Sequence, residues 1–340
     1  VRVRIGILTS GGDCPGLNAV IRGAVLKGDR IYEHTFLGIK DGFRGLVEDD
    51  IAPLPRRAVR GLSRQGGTIL GTSRVGPFDH GGSARVREVM DRHEMDAIIA
   101  IGGEGTLTVA RMLHDDGIPI VGVPKTIDND LSATDYTFGF DTAVSIATES
   151  IDRLRTTAES HHRCMLVEVM GRHTGWIALH AGIAAGAHAI LIPEVPVSVE
   201  QVAEWVRLTV NRGRAPVVVV AEGFVPEGGE LASKGVDHMG RPVLGGIAER
   251  LTPVIEELTG IETRSMTLGH LQRGGVPTSY DRVLATRFGT AAVDSVHQRR
   301  WGTMVALRGT DIVTVNLREA TSELKAVPRA RWDEAAILFG

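Results

Sequence analysis

Two cysteines in 340 residues, Cys14 and Cys164, are too few for a disulfide scaffold and lack metal-ligand spacing. No stretch approaches the ~18 consecutive apolar residues of a membrane span. The opening "VRVRIGILTSGGD" has no secretory core, because glycines and an aspartate interrupt it at once. A formal net charge of −3 gives no electrostatic reason to expect nucleic acid or an anionic membrane as partner. There is no convincing internal repeat and no low-complexity segment. These absences leave an ordinary globular chain, with a reducing cytoplasm as the expected compartment.

Glycine is what the sequence has in excess: 42 residues, about 12% against a typical ~7%. The excess concentrates in tight turns after apolar runs. At this length one hydrophobic core usually stops growing, so two lobes are expected. Short apolar runs recur: "IGIL" at 5–8, "AIIAI" at 97–101, "IPIVGV" at 118–123, "MLVEVM" at 165–170, "AILI" at 189–192 and "VVVV" at 217–220. Helical patterns lie between many of them. Leu17, Val20, Ile21, Ala24 and Val25 share one helix face, as do Val144, Ala147, Ile151 and Leu154. This alternation predicts an α/β fold with largely parallel sheets. Residues 223–246, rich in Gly and Pro, read as a long loop before a helix. The basic run at 53–67 reads as a solvated surface or an anion site.

In open α/β sheets ligands bind at the carboxyl ends of strands, and the polar clusters here sit at such ends. "IGIL" runs into "TSGGDCPG", "AIIAI" into "GGEGT", "IVGV" into "PKTIDND", "MLVEV" into "MGRHTG", "VVVVA" into "EG" and "SMTL" into "GHLQRGG". Ser10-Gly11-Gly12-Asp13 and Gly102-Gly103-Glu104-Gly105-Thr106 both read as strand, glycine turn, acid, helix. Glycine leaves no Cβ to obstruct a phosphate, and a helix N-terminus offers free N–H groups. Pro15 and Thr106 fit helix starts, Thr106 as an N-cap. Neither turn matches the Walker or dinucleotide G-x-G-x-x-G pattern. Glu104 beside a phosphate suggests Mg²⁺, which takes few carboxylates and keeps phosphate oxygens and water. In "TIDND", Asp128 and Asp130 could divide proton acceptance and metal contact. A purely structural Asx turn is the alternative. Arg74, Arg163, Arg172, Arg264 and Arg273, with His270, suit phosphate oxygens as a set, although each singly would suit a surface ion pair.

The segments "LTSGGDCPGLNAVIRG", "GGTILGTSR", "IGGEGT", "PKTIDND", "TFGFDTA", "VEVMGRHTGW" and "LGHLQRGGVPTSYDR" resemble the bacterial 6-phosphofructokinase family in order and spacing over essentially the whole chain. The subgroup with lysine in "PKTIDND" is similar to actinobacterial, mixed-substrate forms. The resemblance implies two α/β lobes, each a largely parallel sheet flanked by helices, with the active site between them. It implies a larger donor-binding lobe of residues 1–139 and about 272–308. A smaller sugar-phosphate lobe would comprise 140–271 and about 309–340. The implied reaction moves a phosphoryl group from ATP, with Mg²⁺, to the 1-hydroxyl of fructose 6-phosphate.

Carried across residue by residue, Asp128 is the general base, with Thr126 near the transferred phosphate, Ile127 beside it, and Asp130 near metal and substrate. Glu104 matches a Mg²⁺ position that is usually aspartate. Gly12, Arg74, Val75, Gly103, Gly105 and Thr106 match donor contacts. Arg172 matches the stabiliser of the transition state, with Met170 and Gly171 beside the sugar. Glu222 matches a sugar-hydroxyl ligand, His270 and Arg273 match the 6-phosphate clamp, and Leu271 and Gln272 between them match substrate-binding positions. Arg163 and Arg264 match arginines reaching that phosphate from a neighbouring subunit, so the resemblance implies a homotetramer with shared sites.

Two positions bear on the donor. Aspartate at position 105 would repel the α-phosphate of ATP, and Gly105 cannot; lysine at position 125 goes with pyrophosphate enzymes. Exclusion outweighs attraction when a flexible lysine can turn aside, so ATP is the expected donor and pyrophosphate the alternative. A catalytically silent sugar-phosphate or nucleotide sensor is the remote reading. Arg22 and Arg155 match parts of the effector site of regulated bacterial members. Leu26 and His188 stand where an arginine and a glutamate are expected there, so effector control does not follow.

Overall fold

The computed structural model describes residues 2–236 and 242–340. In chain order its strands are β1 (Arg4–Thr9), β2 (Thr35–Ile39), β3 (Ile51–Pro53), β4 (Ala97–Gly102), β5 (Ile120–Pro124), β6 (Cys164–Val169), β7 (Ala189–Leu191), β8 (Val217–Ala221), β9 (Ser233–Val236), β10 (Pro242–Leu244), β11 (Thr263–Thr267), β12 (Thr303–Arg308) and β13 (Asp311–Asn316). The chain divides into two compact units, Val1–Thr142 with Arg273–Leu324 and Ala143–Gln272 with Lys325–Gly340.

The first unit is built on a seven-stranded sheet of order β13-β12-β5-β4-β1-β2-β3. Its five inner strands are mutually parallel and its two edge strands antiparallel. Every residue of β4 and β5 is buried, the near-continuous apolar reading of strands covered on both faces. On one face Leu8, Ile98, Leu107, Leu113 and Met304 belong to a single core cluster. The helix Leu17–Tyr32 buries the predicted stripe of Leu17, Val20, Ile21, Ala24 and Val25. It packs against the helix Ser279–His297 at glycine contacts. A Cβ on Gly23 would stand 2.7 Å from the Thr286 carbonyl oxygen, and one on Gly289 would collide with the Val20 carbonyl.

The second unit carries a parallel four-stranded sheet of order β11-β6-β8-β7. The stretch read as a loop at 223–246 differs from expectation, because β9 and β10 within it pair antiparallel. Its residues 237–241 lie outside the described residues. The expected assignment of 309–340 to the smaller lobe is also corrected. Strand β13 pairs with β12 across the two-residue turn Gly309–Thr310, which keeps residues through Leu324 in the first unit. Among the described residues, no helix is long and apolar enough to cross a membrane.

Candidate active site

Strands β1 and β4 are neighbours in the first sheet, yet β2 lies on the far side of β1 and β5 on the far side of β4. That reversal is the topological switch point at which α/β sheets open a crevice. The two glycine turns leave from these two strands. The first turn is tied down by main chain: Ser10 N–H donates to Ile101 O (3.0 Å) and Gly11 N–H to Ser73 O (2.9 Å). The Thr72 hydroxyl donates to Gly11 O (2.6 Å) and the Ser73 hydroxyl to Asp41 O (2.6 Å). These bonds bring the predicted donor residues Gly12, Arg74 and Val75 into one neighbourhood, with Arg74 exposed. Gly11 adopts φ 83°, a conformation that L side chains rarely take. The serine and threonine bonds that seat the turn were not anticipated from sequence.

The second turn opens the helix Glu104–Asp115, whose N-cap is Gly103. Thr106, read as the N-cap, is instead the third helical residue. It is buried, and its hydroxyl faces the space beside Gly11. Glu104 is exposed at the lip of the turn, and the Thr108 hydroxyl donates to its Oε1 (2.9 Å). A carboxylate accepts several bonds, so this one leaves capacity for a cation. Among the described residues no three His, Cys, Asp or Glu side chains form a metal cluster. Mg²⁺ bound largely through phosphate oxygens needs only one or two carboxylates, so Glu104 fits it. Gly105 is exposed, and a Cβ added there meets nothing within 4 Å.

Lys125 follows β5 and is 3% exposed. Its N–H donates to Gly102 O (2.9 Å), and its ammonium donates to the Gly12 carbonyl, under the first turn. Burial pushes its amine below the ordinary lysine range. The side chain is thus anchored under the first glycine turn and has not turned aside, as the sequence reading allowed. The Arg273 guanidinium is also here, donating to Asp13 O (3.3 Å) and standing 2.7 Å from where a Gly12 Cβ would be. Cys14, fully buried in the same loop, has its thiol pushed up to about 12 by burial, so it is no nucleophile.

"TIDND" makes a tight turn beyond Lys125. The Asp128 N–H donates to the Thr126 hydroxyl (3.1 Å), and Asp128 and Asp130 are half-buried while Ile127 and Asn129 are buried. The Thr137 N–H donates to Asn129 Oδ1 (3.1 Å), and the Thr137 hydroxyl to Thr126 O (2.7 Å).

Farther along, Asp281 is fully buried and accepts the N–H (2.8 Å) and hydroxyl (2.6 Å) of Thr142 at the start of the helix Phe140–His161. Burial pushes this carboxyl from 3.8 up to about 6. Between those values the folded chain binds more protons than the unfolded one, so the cost of burying the charge is relieved as pH falls. Asp281→Asn removes this group. Its stability relative to wild type is therefore expected to drift in favour of wild type as pH falls from 7 to 4, by about 3 kcal/mol at most. Urea midpoints of both proteins across that range measure it; parallel curves contradict it.

In the second unit the expected sugar-phosphate residues Met170, Gly171, Arg172, Glu222 and Gln272 gather at the carboxyl edge of its sheet. Gln272, fully buried, accepts the Met170 N–H (3.2 Å) through Oε1 and donates to Gly269 O (3.0 Å). Glu222 N–H donates to Val169 O (2.9 Å) and Gly223 N–H to Gly171 O (3.1 Å). Leu268 N–H donates to Glu168 O (2.9 Å), which sets the following exposed His270 and Leu271 at the same edge. Arg163 and Arg264 are not part of this gathering. They lie at the opposite, amino end of β6 and β11, where Arg163 pairs with Glu262 (2.8 Å) and Arg264 with the same carboxylate.

Glu168 was unanticipated. Buried within an apolar strand, its carboxylate accepts the N–H groups of Gly246 (3.0 Å) and Ala248 (3.0 Å), closing the N-terminus of the helix Ile247–Thr259. Away from these loops, Arg155, Arg212 and Arg214 line a hollow with His188 in the second unit. Arg22, Arg30, Arg56 and Arg60 line another in the first. Burial, then Arg155 and Arg214, hold the His188 imidazole down to about 4.

The family model for phosphofructokinase matches residues 4–296. The chain is 60% identical to a pyrophosphate–fructose 6-phosphate 1-phosphotransferase of Amycolatopsis methanolica, over 99% of this chain and 100% of that one. It is 54% identical to ATP-dependent 6-phosphofructokinase 3 of Streptomyces coelicolor, over 98% and 99%. The T-state phosphofructokinase of Pichia pastoris superposes with a TM-score of 0.84 at 32% identity. That match covers 100% of this chain and 38% of the yeast chain.

Proposed function

The chain belongs to the phosphofructokinase family, and from that premise we propose that it phosphorylates the 1-hydroxyl of fructose 6-phosphate with ATP and Mg²⁺. The observation that carries this reading is the convergence of both glycine turns and the "TIDND" turn at one switch point. The turns offer main-chain N–H groups to the donor phosphates, and Asp128 takes the proton of the attacking hydroxyl as the phosphoryl group moves. Glu104 would hold Mg²⁺, which when bound neutralises charge on the donor phosphates. Arg172 is assigned to the charge of the transferring group, and Met170, Gly171, Glu222, His270, Leu271, Gln272 and Arg273 to the sugar phosphate. Arg163 and Arg264, at the far end of their strands, are assigned to a neighbouring subunit's substrate within a cytoplasmic homotetramer.

ATP is favoured by the open space at Gly105, where nothing crowds an α-phosphate. Pyrophosphate is the second reading. The anchored Lys125 ammonium favours it, since a buried cation suits a small, densely charged donor, and so does the similarity to the Amycolatopsis enzyme. The deciding measurement is initial rates on fructose 6-phosphate and Mg²⁺ with each donor alone. Turnover with ATP alone supports the first reading, and turnover with pyrophosphate alone replaces it by the second. Binding of donor and sugar phosphate without turnover would leave a silent sensor.

A further inference from the structure

Thr137 lies seven residues beyond "TIDND", is 1% exposed, and bonds to both flanks of Asp128. Its N–H donates to the side chain of Asn129, immediately after the aspartate, and its hydroxyl to the carbonyl of Thr126, two residues before it. Asn129 is itself buried and held at φ 50°, in the left-handed region that asparagine tolerates better than most residues. The two bonds from Thr137 thus hold a left-handed residue and the chain on the other side of Asp128 to one anchor. The bracket is also fixed from behind. Phe138 bridges to Lys125, the Cys14 thiol donates to Phe138 O (3.7 Å), and Gly139 lies against the Cys14 side chain.

We propose that Thr137, acting with Asn129, is a positioning residue that sets the aim of the Asp128 carboxylate. The inference rests on the reading of Asp128 as general base and adds a determinant of kcat outside the residues assigned to substrate. Proton acceptance depends on geometry at the level of a fraction of an ångström, and a misplacement of about 1 Å costs up to ~10²-fold in rate. Loss of the bracket is therefore expected in kcat, with substrate KM values little changed.

Thr137→Val keeps the shape and removes the hydroxyl donor, and Thr137→Ser restores it. Asn129→Gly accepts φ 50° without strain but lacks the side-chain acceptor. With whichever donor the wild type uses, Thr137→Val and Asn129→Gly are expected to lower kcat about 10- to 100-fold, with both KM values within about twofold. Thr137→Ser is expected to recover most of the loss. Amide hydrogen exchange over 126–130 is expected to speed up in the first two variants while the rest of the first unit keeps wild-type protection. This readout needs no turnover, so it tests the bracket even where the kinase reading fails. Wild-type kcat in Asn129→Gly, a loss in Thr137→Val that serine does not rescue, or unaltered exchange at 126–130 would each overturn the proposal.

Discussion

Asp128→Ala is expected to lower kcat for fructose 6-phosphate phosphorylation by about 10²–10⁴-fold, the usual contribution of a positioned general base. The fold should not suffer. Asp128 is half-buried, and the bond from its N–H to the Thr126 hydroxyl is made by main chain, so it survives truncation of the side chain. The bracket from Thr137 to Thr126 and Asn129 survives as well. Substrate KM values should therefore stay close to wild type, and thermal unfolding should be unchanged within a degree or two. Steady-state kinetics with both donors, beside far-UV circular dichroism, make the comparison. A variant that turns over at the wild-type rate would remove Asp128 from the chemistry and with it the proposed mechanism.

Gly105→Asp carries the second large effect, and here the loss should depend on the donor. The position is exposed and an added Cβ meets nothing within 4 Å, so the variant should fold and bind sugar phosphate as before. The new carboxylate would face the α-phosphate of ATP. Two like charges about 4 Å apart at an effective dielectric near 20 repel by about 4 kcal/mol, on the order of a 10³-fold loss in kcat/KM for ATP. Pyrophosphate has no third phosphate to meet the new charge, so any activity with it should fall far less. An ATP rate untouched by the substitution would mean that the donor does not pass over Gly105.

Much of this site was legible because its chemistry is local. The glycine pairs at 11–12 and 102–103, the acid of each turn and the "TIDND" run sit directly after buried strands, and strand order alone brings β1 and β4 together. What escaped was set by distant partners. Asp281 is 139 residues from the Thr142 that it holds, and nothing in the pattern of either helix announces the pairing. Glu168 did leave a trace, a lone acid inside "MLVEV", which a parallel strand buries only if something donates to it. β13 left another: Gly309–Thr310 is a two-residue turn between extended segments, a hairpin signal that ties 311–316 to β12. The seat of Lys125 was hidden for a different reason. A lysine stem is flexible in isolation, but here the residue is buried and its ammonium is bonded to the Gly12 carbonyl, 113 residues away in sequence.

The discontinuity of the first unit has a consequence for synthesis. When a ribosome has released about 270 residues, every strand of the four-stranded sheet is out of the tunnel or close to it, but only five of the seven strands of the larger sheet exist. The helix that buttresses Leu17–Tyr32, the strand that covers β5 and the aspartate that receives Thr142 are all still to come. The first unit therefore cannot be completed in the order in which it is made. The sheet of the second unit is complete first, yet each unit waits for a segment from the end of the chain, Arg273–Leu324 for the first and Lys325–Gly340 for the second.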